Sequence, residues 1–246
     1  MQVVYYISHL INDKTVERYH LLRNNLSKKE YDVFFLYSNY DDNDCILLDD
    51  IKCVKLNRKD FDRLVDRGYY VNPRTDQGFC YNNTQFIYLL GYQKHPRKYS
   101  HYWFIEYDVV FNGNWNDMIP TIPLNYDFVT SRILHYNDCQ NWWWHTNCTN
   151  IENVKTEYFS LNPVIRLSNR ALKFLNKKCI TKNGGFHEAM LITFLERAGF
   201  TFADIYENRK YGGTDLGIFA NNETFDWYVR DFDTIDKENY LYHPLK

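Results

Sequence analysis

Two carboxylates, Glu106 and Asp108, interrupt the strongest strand signal in the sequence, YWFIEYDVVF at 102–111. In an extended chain, residues i and i+2 point to the same face of a sheet, so the two carboxylates are expected to converge. Carboxylates in an apolar setting repel each other unless a cation or a hydrogen-bond donor compensates them. Mg²⁺ and Mn²⁺ are oxygen-binding cations that would compensate this pair and bind a diphosphate as well. The alternative from spacing alone is that Glu106 pairs with an arginine or caps the following turn.

The sequence around this pair resembles the nucleotide-sugar and metal motif of GT-A-fold glycosyltransferases. An aromatic-rich strand runs into an acidic-x-Asp pattern and then a glycine turn, YWFIEYDVVFNGNW at 102–115. The order of elements along most of the chain is similar to that family, and looks most like its bacterial surface-polysaccharide enzymes, including galactofuranosyltransferases. The motif here is Glu-x-Asp and not Asp-x-Asp. The resemblance therefore assigns a cation to Asp108 and leaves a direct contact from Glu106 open.

The resemblance implies a metal-dependent glycosyltransferase of hexosyltransferase type, with Mn²⁺ or Mg²⁺ as cofactor. Its donor would be a nucleotide diphosphate sugar, foremost a UDP-sugar, and its acceptor a hydroxyl of a glycan or lipid-linked glycan in polysaccharide biosynthesis. Glu188 follows a glycine turn (Gly184-Gly185) and opens a predicted helix, where many inverting members carry the general base. The resemblance thus implies inversion. The alternative is that Glu188 only complements the helix dipole, a contribution of about 0.3–1 kcal/mol.

A late histidine completes the set of metal ligands that the resemblance implies. His243 lies in the closing segment ENYLYHPLK and is similar to the histidine that many GT-A enzymes supply as a third protein ligand. Imidazole is a normal ligand for Mn²⁺ and less so for Mg²⁺. The alternative is a surface histidine near a frayed end.

Further residues are candidate substrate contacts. Adjacent indoles in the polar loop at 135–150 cannot all face one core, so at least one is expected to offer a sugar a stacking surface, while another pins the loop to the core. His187 is a candidate acceptor contact, with capping or packing as its alternative. The predicted donor contacts are Ser8, His9, Arg74, Asp76 and Tyr107, and the predicted acceptor contacts are Asp138, Trp142, Trp143, Trp144 and His187.

The elements that must position these residues follow a β-α-β opening. Apolar runs at 2–8 and 31–38 predict buried strands, and the helical spacing at 14–26 predicts the helix between them. Such an opening indicates an α/β fold, GT-A-like and thus Rossmann-like, with a mixed, mostly parallel central sheet flanked by helices. No linker or repeat divides the chain. We therefore predict a single catalytic domain over 1–246, with a nucleotide-sugar-binding half at about 1–111 and an acceptor-binding half at about 112–246.

Composition excludes several classes of protein. The 246 residues carry a net charge of −2, so a general nucleic-acid binder, which needs a basic surplus, is not expected. Aromatic residues are 18% of the chain, a share that excludes disorder. The same aromatic content also suits an alternative function, that of a non-catalytic carbohydrate-binding module. A glycoside hydrolase is a third reading, because paired carboxylates also serve hydrolysis.

The N-terminal segment and the cysteines predict a location. The start MQVVYYISHLI predicts a strand and not a signal peptide, and no apolar run reaches the roughly 18 residues of a membrane span. Six scattered cysteines, without a Cys-x-x-Cys pair, are expected to be reduced. We predict a cytoplasmic protein, and a lipid-linked acceptor would bring it to the inner face of the membrane as a peripheral protein.

Overall fold

A seven-stranded sheet runs through the computed structural model, which describes residues 1–38, 40, 50–72, 79–95, 99–135, 137, 158–180, 185–205, 214–215 and 240–243. Its strands, in chain order, are β1 (Gln2–Ser8), β2 (Tyr31–Ser38), β3 (Cys53–Leu56), β4 (His101–Glu106), β6 (Phe128–His135), β7 (Tyr158–Ser168) and β8 (Phe202–Asp204). A smaller sheet contains β5 (Val110–Asn112), β9 (Thr214–Asp215) and β10 (Tyr240–Tyr242).

Helices connect and flank these strands. They are α1 (Asp13–Asn25), α2 (Arg58–Asp66), α3 (Phe79–Asn82), α4 (Thr84–Lys94), α5 (Trp115–Met118), α6 (Asn169–Lys178) and α7 (His187–Arg197), and a 3₁₀ turn spans Ile119–Thr121. The start of α1 is capped by Asn12, whose side chain accepts from Thr15 N at 3.0 Å. Helix α7 ends at Arg197, and Gly199, two residues later, has a positive φ of 71°, which glycine adopts without strain.

The strand order of the large sheet is β3-β2-β1-β4-β7-β6-β8. Strands β3, β2, β1 and β4 pair in parallel, β7 runs antiparallel to both β4 and β6, and β8 returns parallel to β6. All seven residues of β1 are buried, as expected for a central strand covered on both faces. The predicted class, a mixed and mostly parallel α/β sheet flanked by helices, is confirmed.

The pairing of β1 with β4 brings two chain segments to one edge of the sheet. Tyr6 is opposite Ile105 and Ile7 is opposite Glu106, so both strands end at the same place. Helix α4 lies close to the middle of these strands, because a Cβ on Gly91 would come within 3.6 Å of Tyr5 on β1 and 3.3 Å of Phe104 on β4. The carboxyl ends of β1 and β4, where ligands bind in open α/β sheets, therefore form one shared edge.

The segment predicted as one strand at 102–111 is divided in the structure. Strand β4 ends at Glu106, and Val109 N donates to Glu106 O at 3.1 Å to close a tight turn. The chain then continues as β5 in the smaller sheet. Asp108 consequently lies in a turn, and the i, i+2 alternation of an extended strand does not explain its position.

A buried arginine holds the far end of the sheet to the segment before β6. The side chain of Arg166 on β7 is fully buried and donates to the backbone oxygens of Ile122 at 3.0 Å, Pro123 at 2.6 Å and Tyr126 at 3.3 Å. Its guanidinium lies 5.4 Å from the centre of the Trp103 ring. Burial lowers the pKa of Arg166 to about 10, so the group is charged at neutral pH.

Replacing Arg166 with methionine is expected to lower the free energy of unfolding by about 3 kcal/mol or more, because three backbone carbonyls lose the charged donor that the buried guanidinium supplies. Urea unfolding at pH 7 measures this change. Arg63 on α2 is exposed, and Arg63→Met, as the matched control, should change stability by less than about 0.5 kcal/mol. Equal stability of the two variants would contradict the anchoring role of Arg166.

Two further predictions concern the described part of the chain. None of its helices is both long and apolar enough to cross a membrane. Cys53, Cys80 and Cys179 are reduced, as predicted, whereas the other three cysteines lie outside the described residues.

Candidate metal and carboxylate site

The structure brings Glu106, Asp108 and His243 together at the carboxyl edge of the sheet. One ligand atom from each residue lies within 4.8 Å of the others. Nε2 of His243 is 3.3 Å from Glu106 Oε2 and 3.5 Å from Asp108 Oδ1. Two carboxylates and one imidazole form a donor set that suits Mn²⁺, and the carboxylate oxygens also suit Mg²⁺. The three residues therefore fit a divalent cation. We call this group of three residues the acidic cluster site.

The turn that carries the two acids is held at the peptide between them. The backbone oxygen of Tyr107 accepts hydrogen bonds from the Tyr6 hydroxyl at 3.0 Å and from Arg18 Nη1 at 2.7 Å. Tyr6 comes from β1 and Arg18 from α1, so both halves of the β-α-β opening fix this peptide. Because its backbone is held in this way, Asp108 is directed to the cluster from within a turn.

Sequence reasoning missed these two supporting residues, although a signal was present. Thr15, Arg18 and Leu22 share one face of α1 at spacings of three and four residues, and Thr15 and Leu22 are buried. An arginine between two buried positions on a helix face needs acceptors nearby. The backbone oxygen of the acidic turn provides one.

His243 reaches the acids because the smaller sheet joins distant parts of the chain. Strand β10 pairs antiparallel with β5, with Leu241 opposite Phe111 and Tyr242 opposite Val110. Leu241 and Tyr242 are each only 1% exposed, so the pairing is anchored by buried side chains. This register places the residue after Tyr242 beside the turn before β5.

The charges of the cluster depend on one another. Burial alone would lower the pKa of His243, but its hydrogen bonds to Asp108 and Glu106 outweigh burial and raise the pKa to about 10. Burial raises the pKa of Glu106, and the neighbouring His243 opposes that rise. The two carboxylates thus face a positive charge, which the protonated imidazole of His243 can supply and which a bound cation would supply in its place.

Glu188 lies in the first turn of α7, within the electrostatic reach of this cluster. It is 6% exposed, and its Oε1 accepts from the backbone N–H of Asn162 at 3.2 Å. Burial raises the pKa of Glu188 to about 8, the hydrogen bond from Asn162 opposes the rise, and the negative charge of Glu106 adds to it. A carboxyl group with such a pKa can accept or release a proton near neutral pH.

His187, the predicted acceptor contact, lies in a packed environment. It is 5% exposed, its Nδ1 lies 3.2 Å from Asn162 Nδ2, and its ring centre is 4.5 Å from that of Phe186 and 6.0 Å from that of Tyr88. Burial lowers the pKa of His187 to about 3, so the ring is neutral. This placement fits the packing alternative.

Asn162 is a further residue that sequence reasoning missed. It contacts both of the first two residues of α7, and its Oδ1 lies 3.0 Å from the Thr130 hydroxyl. The signal was a lone asparagine inside the apolar run FSLNPVI at 159–165, since a buried amide requires partners.

The predicted donor contacts that the structure describes lie at the same edge. The Ser8 hydroxyl donates to Leu10 O at 2.7 Å and accepts from Leu10 N at 3.0 Å, so it closes a local turn after β1. The exposed His9 ring stands edge-on to Tyr107, with 5.0 Å between ring centres. The remaining predicted contacts lie outside the described residues: Arg74, Asp76, Asp138, Trp142, Trp143 and Trp144.

Comparisons with known proteins return sugar-transferring enzymes at low identity. No protein-family model matches the chain, and no curated protein matches it in sequence. Among solved structures, mouse xyloside xylosyltransferase 1 in its apo form is 10% identical with a TM-score of 0.48, and the match covers 98% of this chain and 96% of that one. The galactosyltransferase LgtC, in complex with donor and acceptor sugar analogues, is 13% identical with a TM-score of 0.45, covering 82% and 73% of the two chains.

A second LgtC structure, of an active-site mutant, is 11% identical with a TM-score of 0.44 and covers 82% of this chain and 72% of that one. These structural neighbours are glycosyltransferases. Likeness at this level carries no information on substrate, cation or mechanism, so function is inferred from the geometry of the site.

Proposed function

We propose that the protein is a metal-dependent, GT-A-type glycosyltransferase that moves a sugar from a nucleotide diphosphate donor to an acceptor hydroxyl. The observation that carries this proposal is the convergence of Glu106, Asp108 and His243 within 4.8 Å, with Glu188 in electrostatic reach. A diphosphate leaving group needs positive charge, and a net charge of −2 provides no basic surplus for it. A bound cation meets that need.

In this proposal Asp108, with Glu106 and His243, would hold the cation. When bound, the cation supplies positive charge to the diphosphate as negative charge develops there. The acceptor oxygen forms a bond to the anomeric carbon while the bond from that carbon to the diphosphate oxygen breaks. Glu188 accepts the hydroxyl proton, and attack from the side opposite the leaving group inverts the anomeric centre. Ser8, His9 and Tyr107, at the adjoining strand ends, are proposed donor contacts.

The sequence resemblance supplies the finer terms of the proposal. It favours a UDP-sugar donor, a glycan or lipid-linked glycan acceptor, and a role in bacterial surface-polysaccharide biosynthesis in the cytoplasm or at the inner membrane face. The imidazole of His243 favours Mn²⁺ over Mg²⁺ in the acidic cluster site. Residues at about 1–111 would bind the donor and residues at about 112–246 the acceptor, including the tryptophans at 142–144.

A thermal-shift screen tests the proposal. UDP and a panel of UDP-sugars, each with and without Mn²⁺, are expected to raise Tm only when the cation is present, because ligands that bind the folded state stabilise it. Free glycans are the parallel arm. Stabilisation by glycans alone, with no response to UDP and Mn²⁺, would instead indicate a carbohydrate-binding module.

Glycoside hydrolysis is a second candidate, favoured by one observation. Glu106 and Glu188 come from different elements, and Glu188 has the raised pKa of about 8 that a general acid requires. The presence of His243 beside the two acids argues against hydrolysis, since a hydrolase that uses two carboxyl groups needs no cation ligand. Release of free sugar from a glycan in EDTA would establish hydrolysis and exclude the transferase.

A further inference from the structure

Tyr88 is a fully buried residue of α4 whose hydroxyl has no hydrogen-bond partner within the part of the chain that the structure describes. Its side chain is 1% exposed. An unpaired buried hydroxyl destabilises a fold, and phenylalanine would fill the same space without that cost. Packing therefore explains the ring of Tyr88 but not its oxygen.

The Tyr88 ring lies on the face of β4 that carries Glu106. Its centre is 4.9 Å from that of Phe104, and Phe104 and Glu106, two residues apart in a strand, point to the same face. The His187 ring at the start of α7 approaches Tyr88 from another side, with 6.0 Å between ring centres. Tyr88 thus stands between the strand that ends in Glu106 and the helix that begins beside Glu188.

The electrostatic surroundings keep the hydroxyl protonated. Burial raises the pKa of Tyr88 well above its ordinary value, and the negative charges of Glu106 and Glu188 raise it further. The group is consequently a hydrogen-bond donor at all physiological pH values. Glu106 and Glu188 each carry carboxyl oxygens, which can accept a hydrogen bond from this hydroxyl.

Both carboxylates already have another partner within the protein. Glu106 Oε2 lies 3.3 Å from His243 Nε2, and Glu188 Oε1 accepts from Asn162 N at 3.2 Å. A cation bound to Nε2 of His243 would take the place of the N–H that this nitrogen presents to Glu106. Glu106 therefore loses its contact with an N–H donor when His243 becomes a ligand, and Tyr88 is a buried donor on the same face of β4.

We propose that Tyr88 is a positioning residue whose hydroxyl donates a hydrogen bond to Glu106 when His243 serves as a metal ligand. This inference rests on the cation site of the proposed function. Donors that orient a ligating carboxylate tune metal affinity, and their loss typically weakens it about 10–100-fold. Tyr88 would thus act through Glu106 without contacting cation or substrate.

The test compares Tyr88→Phe with a matched control. Thr193 on α7 is also 1% exposed and also carries a hydroxyl without a partner in the described ranges, so Thr193→Val makes the same kind of deletion away from the acidic cluster site. We expect both variants to melt at or above the wild-type Tm in EDTA, because each loses an unpaired buried hydroxyl. Only Tyr88→Phe should weaken binding of Mn²⁺ alone, by about tenfold or more, as measured by electron paramagnetic resonance of free and bound Mn²⁺.

Two results would overturn the inference while leaving the cation site intact. One is that Tyr88→Phe binds Mn²⁺ with wild-type affinity. The other is that this variant melts below the wild-type Tm in EDTA, which would show that the hydroxyl stabilises the metal-free protein. Absence of Mn²⁺ binding by the wild-type protein would instead remove the cation site itself, and the inference with it.

Discussion

Replacing Asp108 with asparagine is expected to abolish Mn²⁺ binding and sugar transfer while the protein still folds. Asp108 is buried, lies 3.5 Å from His243 Nε2, and belongs to a backbone turn fixed from both sides by Tyr6 and Arg18. Asparagine fills the same volume and keeps an oxygen but removes the charge that a cation requires. We expect Mn²⁺ affinity to fall by at least about 100-fold, beyond the effect of losing an outer donor.

Calorimetric titration with Mn²⁺ and a transfer assay with UDP-sugars measure these two losses. Asp66 ends α2 and is exposed, so Asp66→Asn makes the same change of charge away from the cluster and should leave both quantities unchanged. A circular dichroism melt checks that Asp108→Asn folds. If that variant retains wild-type turnover with Mn²⁺ present, the assignment of the cation to Asp108 is wrong.

Replacing Glu188 with glutamine is expected to remove activity and to stabilise the protein at the same time. Glutamine keeps an oxygen for the Asn162 N–H but cannot accept the acceptor's proton, so kcat should fall by about 10²–10⁴. Donor affinity should stay within about twofold, since the proposed role lies in the chemical step. A large loss of donor affinity would mean that Glu188 is structural.

The gain in stability has a defined dependence on pH. The pKa of Glu188 rises from its ordinary value of 4.5 to about 8 in the folded protein, mainly through burial. Between these values the unfolded chain ionises Glu188 while the folded one keeps it protonated, so rising pH lowers wild-type stability. The advantage of Glu188→Gln should be near zero below pH 4.5, grow up to pH 8, and stay constant above it.

Thermal melts in EDTA across this pH range measure the advantage. One pKa unit is worth about 1.4 kcal/mol, which corresponds to about 3 °C in Tm at this chain length, so a difference of at least about 3 °C is expected above pH 8. Glu17 on α1 is exposed, and Glu17→Gln should show no such trend. A difference in Tm that does not vary with pH would contradict the burial-raised pKa of Glu188.

Local patterns in the sequence predict much of the fold. The apolar runs at 2–8 and 31–38 are β1 and β2, and the helical spacing at 14–26 corresponds to α1. These features depend on contacts between near neighbours, which the order of residue types specifies directly. The division of the segment at 102–111 was not predictable in this way. Its apolar content suits one long strand, and the turn at Glu106 exists because β1 and α1 supply donors to the Tyr107 carbonyl.

The sequence by itself determined the class of fold and the residue types at the site: two acids around an aromatic residue, a glutamate opening a helix, and a late histidine. Tertiary structure alone decided that these groups meet. The pairing of β5 with β10 sets the position of His243, and the hydrogen bond from Asn162 sets that of Glu188. Tyr88 acquires its position in the same way, because α4 packs across β4. Such contacts join residues far apart in the chain, and their register depends on side chains that pack only in the folded state, so no local periodicity records them.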